Sequence, residues 1–166
     1  AGRSPLVLAD RKVYLDRLQG TFATQAASVV CHRLDGQLGK RARTEVLRQI
    51  DAHYTAGTPF VLFATASLIG EGFDLPRLDT LVLAMPLSWK GRLVQYAGRL
   101  HRIHDAKGAP LIYDYVDENH ALTNAMFRRR LAGYRELNYA IEMPPGDAPA
   151  WFGLEGTTAA VAQATS

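Results

Sequence analysis

The chain has 166 residues, 48% of them hydrophobic, and a formal net charge of +3. That length fits one domain with a sizeable core, and the composition excludes general disorder. No apolar run reaches the length of a membrane span, and the single cysteine, Cys31, excludes an internal disulfide, so no membrane partner and a reducing, cytoplasmic location are expected. The start, Ala1-Gly2-Arg3-Ser4-Pro5, has no signal-peptide pattern and reads as the beginning of a cut-out fragment.

Short apolar runs then alternate with helical patterns. Leu6 to Ala9 is expected as a buried strand, Asp10 as an N-cap, and Leu15, Leu18 and Phe22 as the inner stripe of a helix. Ser28 to Cys31 is the second expected strand, followed by a turn at Asp35-Gly36. Leu38, Ala42, Val46, Leu47, Ile50 and Tyr54 fall on one helical face, which ends near Gly57 and Pro59. Phe60 to Ala64 is the third strand, Leu81 to Ala84 the fourth, and Leu111 to Tyr113 opens the fifth. A helix is expected over Gln95 to Arg102, with Leu93, Ala97 and Leu100 inward. A longer one is expected from about Glu118 to Tyr139, with Leu122, Met126, Phe127, Leu131, Tyr134 and Leu137 as its apolar side. Continuous apolar strands separated by amphipathic helices predict an α/β fold with a parallel sheet covered on both faces. Pro144-Pro145-Gly146 and the small, alanine-rich end make residues 142–166 a linker or partly disordered tail behind a domain at 1–141.

Chemistry is concentrated in two stretches. Gln95-Tyr96-Ala97-Gly98-Arg99-Leu100-His101-Arg102 sets two arginines at i and i+3, on one helical face. Paired guanidiniums clamp phosphate bidentately and stay charged, although Arg-x-x-Arg also occurs on plain solvated faces. In the loop from Thr65 to Pro76, Gly70 and Gly72 permit close backbone approach, Thr65 and Ser67 can donate to phosphate, and Asp74 can accept from a ribose. A plain glycine-rich turn, with Asp74 bonding its own backbone, is the simpler account of the loop taken alone. Trp89-Lys90 either stacks a base and pairs a phosphate or packs under the following helix. Basic residues gather at 89–107 (Lys90, Arg92, Arg99, Arg102, Lys107) and at Arg128-Arg129-Arg130, a distribution that favours phosphate-bearing partners. His101 and His104 have metal-compatible spacing, but no Cys or carboxylate cluster joins them, so no metal site is expected.

Taken together these stretches closely resemble the C-terminal RecA-like lobe of superfamily-two helicases and translocases. Ala64-Thr65 through Gly72-Phe73-Asp74-Leu75-Pro76 is similar to helicase motif V, and Gln95-x-x-Gly98-Arg99-x-x-Arg102 to motif VI. Leu78 to Pro86 resembles the strand between them, Leu6 to Ala9 the motif IV strand, and Cys31 to Gly36 the strand and turn before motif IVa. The likeness runs from about Pro5 to Val116 in the expected order. Gly98 to Arg102 and Tyr113 to Asp117 lean toward the restriction-enzyme-like and DNA-repair-like branch, with DNA favoured over RNA.

The resemblance implies a three-layer RecA-like sheet with a C-terminal helix and tail. It implies that Arg99 and Arg102 act as arginine fingers on the γ-phosphate of ATP, with Gln95, Gly98, Gly72 and Asp74 around the nucleotide. Thr65 and Ser67 would meet the nucleic-acid backbone. Thr65 and Gly72 stand one residue farther apart than in many members, so either hydroxyl is a candidate for that contact. The chain contains no Gly-x-x-x-x-Gly-Lys-Ser/Thr loop. ATP with Mg2+ would therefore be held mainly by an N-terminal lobe outside this chain, and the chain alone is expected to be inactive as an ATPase. The alternatives are a non-catalytic nucleic-acid-binding or scaffolding module on the same fold, and an independent doubly wound nucleotide-binding domain. Against the latter, Asp10-Arg11-Lys12 stands where its glycine-rich turn would be.

Overall fold

The computed structural model describes residues 2–67, 77–85, 96, 109–116 and 120–142, and the backbone of 159–164. Its centre is a run of five parallel strands. These are β1 (Pro5–Ala9), β2 (Val30–Leu34), β3 (Phe60–Thr65), β4 (Thr80–Leu83) and β5 (Leu111–Tyr115), in the spatial order β2-β3-β1-β4-β5. Alternation along each strand sends side chains to both faces. Leu6 and Leu8 enter one core with Leu62, Leu81, Leu83 and Ile112, while Val7 and Ala9 enter a second with Val61 and Phe63. A parallel sheet buried on both faces needs such unbroken apolar runs, and β3 is buried at every position.

Helix α1 (Lys12–Gln25) covers the second core with Leu15, Leu18 and Phe22, and the Phe22 ring meets Phe63 edge-on at 5.8 Å. Helix α2 (Lys40–Ala56) covers the first core with Val46, Leu47, Ile50 and Tyr54. It ends at Gly57, whose φ of 67° is the left-handed conformation that stops a helix at little steric cost in glycine. Helix α3 (Ala121–Glu136) adds Phe127, Leu131 and Tyr134 to that core.

Several elements differ from the sequence expectation. Asp10 is not the α1 cap: the cap position is Arg11, with no side-chain bond to the helix. Strand β2 starts at Val30, because Val29 closes a turn on Ala26 and pairing with β3 begins opposite Phe60. Ala42 is exposed, and Leu122, in the first turn of α3, is 66% exposed. The last helix stops short of Tyr139, since Asn138 adopts a φ of 56°, a left-handed state that asparagine tolerates better than most residues. Tyr139–Glu142 then form β6. Within 142–166, Ala159–Ala164 form β7, antiparallel to both β5 and β6. The Arg128-Arg129-Arg130 cluster is divided: Arg128 and Arg129 are exposed, while Arg130 is buried beneath them. The expected helix over Gln95 to Arg102 lies outside the described residues apart from Tyr96, which is helical.

Candidate nucleotide and nucleic-acid interface

Five parallel strands bring their carboxyl ends to one rim, where ligands of open α/β sheets bind. Ala9, Leu34, Thr65, Leu83 and Tyr115 are the last residues on that side. A charged network joins the first two ends. Asp35, just past β2, accepts from the Gln37 amide at 2.9 Å and from Arg33 Nε at 2.9 Å, and Lys12 Nζ stands 3.9 Å away. Arg33 Nη1 also pairs with Asp16 of α1, and Lys12 bonds Gln37. Burial pushes the Asp35 carboxyl up, but the Gln37 amide and the Arg33 and Lys12 charges outweigh it and hold it below its ordinary value. Arg33 Nη2 is buried without a hydrogen-bond partner among the described residues.

At the end of β3, Thr65 and Ser67 place their hydroxyls 3.3 Å apart. Thr65 is buried and Ser67 exposed, so Ser67 is the hydroxyl of the two that faces solvent. Between them, the Ala66 carbonyl accepts a hydrogen bond from the Tyr96 hydroxyl at 3.1 Å. Past Pro76, Arg77 pairs with Asp51 of α2 at 2.7 Å and stacks 4.5 Å over the Tyr54 ring. Gly72, Asp74, Trp89, Lys90, Gln95, Gly98, Arg99 and Arg102 lie outside the described residues.

Sequence reasoning missed the Lys12–Arg33–Asp35–Asp16 network, the Tyr96 bond and the Arg77 anchor. A signal existed for the first: charged residues directly follow two apolar strands at Asp10-Arg11-Lys12 and Arg33-Leu34-Asp35. It also missed a deeper cluster. Arg130 donates to both Asp114 carboxylate oxygens, at 2.7 and 2.9 Å, and the Tyr134 hydroxyl donates to one of them at 2.8 Å. Burial, with the neighbouring Asp114 charge, lifts the Tyr134 hydroxyl well above its ordinary value and keeps it a donor. This cluster bolts α3 to β5 and does not face solvent.

The family model for the helicase conserved C-terminal domain matches residues 1–104. "Putative helicase 161L" of Invertebrate iridescent virus 6 is 38% identical over 76 residues, which are 46% of this chain and 16% of that protein. "Uncharacterized protein 108L" of Invertebrate iridescent virus 3 is 37% identical over 70 residues, 42% of this chain and 64% of that protein. Among solved structures, the C-terminal part of the Fun30 ATPase domain aligns with a TM-score of 0.63 at 17% identity, over 76% of this chain and 38% of that one. Domain 2 of the Mss116p DEAD-box helicase bound to an RNA duplex aligns with a TM-score of 0.50 at 14% identity, over 66% and 40%. The parallel sheet with flanking helices is thus a RecA-like α/β fold. The chain spans less than two thirds of the length of each of these proteins.

Proposed function

The chain belongs to the helicase conserved C-terminal domain family, and from that premise we propose that it is the C-terminal lobe of an ATP-dependent helicase or translocase, with DNA as its preferred track. One observation carries the reading. The Thr65-to-Pro76 loop follows β3, and Gln95-x-x-Gly98-Arg99-x-x-Arg102 falls between β4 and β5, strands whose carboxyl ends share one rim.

In this reading Arg99 and Arg102 reach the phosphates of a nucleotide held by a second lobe. ATP with Mg2+ supplies the reacting phosphoryl group; this chain supplies positive charge against it. That donor set suits a finger and not a pocket, because the Gln95-to-Arg102 stretch has two arginines and the chain has no glycine-lysine phosphate loop. Gln95, Gly98, Gly72 and Asp74 line the approach. Ser67 offers an exposed hydroxyl to a passing phosphodiester, with Thr65 behind it. Trp89 and Lys90 add a stacking surface and a charge beside the same track.

The test compares this chain alone with the same chain joined to its N-terminal lobe. Alone it is expected to show no ATP turnover above the uncatalysed rate. With the N-terminal lobe, turnover is expected, and single-stranded DNA is expected to raise it more than RNA of the same sequence. Turnover at an ordinary enzymatic rate by the chain alone, on the order of 1 per second or faster, would overturn the half-site reading. Nucleic-acid binding by the joined protein with no turnover would favour the non-catalytic module.

A further inference from the structure

Tyr96 stands one residue after Gln95 and three before Arg99. Its side chain is 3% exposed and lies in the α2-side core with Ala66, Leu78 and Met85. A phenylalanine would fill that volume equally well. A buried hydroxyl is tolerated where it is bonded, and this one donates to the Ala66 carbonyl at 3.1 Å. Ala66 is the first residue past β3, flanked by the paired hydroxyls of Thr65 and Ser67. Fixing the Ala66 carbonyl fixes the peptide plane that leads into Ser67.

The residue on the far side of 68–76 is held differently. Arg77 is tied to α2 through Asp51 and Tyr54. Of the residues flanking 68–76, Ala66 is therefore bonded to Tyr96, and Arg77 to a helix that carries no motif residue.

We propose that Tyr96 is a positioning residue whose hydroxyl couples the arginine segment to the nucleic-acid-facing end of β3, so that engagement of one biases the other. This rests on the function proposed above. The coupling needs no contact between Tyr96 and either ligand. It needs only that a shift of the arginine segment move the Ala66 carbonyl.

The experiment uses the chain joined to its N-terminal lobe, with ATP, Mg2+ and a single-stranded oligonucleotide. Tyr96→Phe deletes one oxygen and keeps the ring. The ratio of oligonucleotide-stimulated to unstimulated turnover is expected to fall about five-fold, the equivalent of one hydrogen bond. The oligonucleotide concentration giving half-maximal stimulation is expected to rise, and the melting temperature to stay close to that of the unaltered protein. Arg77→Met, which removes the Asp51 ion pair, is expected to raise the half-maximal concentration while keeping the ratio at saturation. An unchanged ratio in Tyr96→Phe overturns the proposal. So does a parallel fall of both rates with the melting temperature, which would make the hydroxyl merely structural. Absence of any stimulation in the unaltered protein removes the function reading itself, and the coupling with it.

Discussion

Two arginine–carboxylate clusters in this molecule use the same chemistry in different settings. In one, Arg130 and Asp114 meet with Nε 2.7 Å from a carboxylate oxygen, 1% and 0% exposed, and Tyr134 completes the set. In the other, Arg33 and Asp35 meet at 2.9 Å on the rim, where the Asp35 side chain is 8% exposed but its partners Arg33, Lys12 and Asp16 reach solvent at 22%, 46% and 53%. The first has both carboxylate oxygens bonded and joins α3 to β5. The second ties α1 to the turn after β2 and leaves Arg33 Nη2 without a partner among the described residues. The contrast teaches that depth, more than pairing, sets what an ion pair does. A buried pair is costly to break because its survivor is stranded in low dielectric, whereas a rim pair is worth little and serves mainly to hold a surface in place.

The largest expected effect is on the buried cluster. Asp114→Ala leaves the Arg130 charge without its carboxylate and is expected to destabilise the fold by about 3–5 kcal/mol, measured by urea unfolding. A loss below about 1 kcal/mol would erase the distinction between the two clusters.

Between these extremes sits the His32–His53 pair, bonded at 2.9 Å between β2 and α2. Burial, and then the neighbouring His53, hold the His32 imidazole below its ordinary value. The unfolded chain therefore takes up a proton that the folded chain resists. The stability from this site is complete above about pH 6.5 and is lost as pH falls below it, with a slope of at most about 1.4 kcal/mol per pH unit. His32→Phe is expected to flatten that acid limb of stability against pH. An identical limb in the variant would assign the pH dependence elsewhere.

The smallest effect is expected on the rim. Asp35→Asn should cost about 1 kcal/mol or less in urea unfolding, and 1 M salt should shrink the difference because the Debye length there is about 3 Å. A cost near that of Asp114→Ala would show that the rim network is a structural bolt as well.

Strands β1, β3 and β4 were legible because each is a run of four to six apolar or β-branched residues between turn signals, as in Phe60–Thr65, while β2 and β5 open on apolar residues and then carry His32, Arg33 and Asp114. The faces of α1 and α2 followed from helical spacing, apart from Ala42, whose position on the stripe does not reach the sheet. What could not be read depended on pairing across the chain. The alanine-rich Ala159–Ala164 has little strand propensity, and its ladder with β5 and β6 defines it. The pattern of the last helix continues through Tyr139, yet one left-handed residue, Asn138, turns the chain into β6. Arg130 sits in a triplet of arginines that looks solvated, and only Asp114, sixteen residues earlier in sequence, draws it inside. At the site the same division holds. The spacing of Gln95, Gly98, Arg99 and Arg102 is visible in one dimension, whereas the Tyr96–Ala66 and Arg77–Asp51 contacts join residues 30 and 26 positions apart.

The central claim is that this chain completes a nucleotide site built mostly elsewhere. Its most direct test is nucleic-acid-stimulated ATP turnover of the two-lobed protein carrying Arg102→Ala. The account predicts a loss on the order of 10³-fold in turnover with folding intact by circular dichroism. Turnover within about two-fold of the unaltered protein would contradict it.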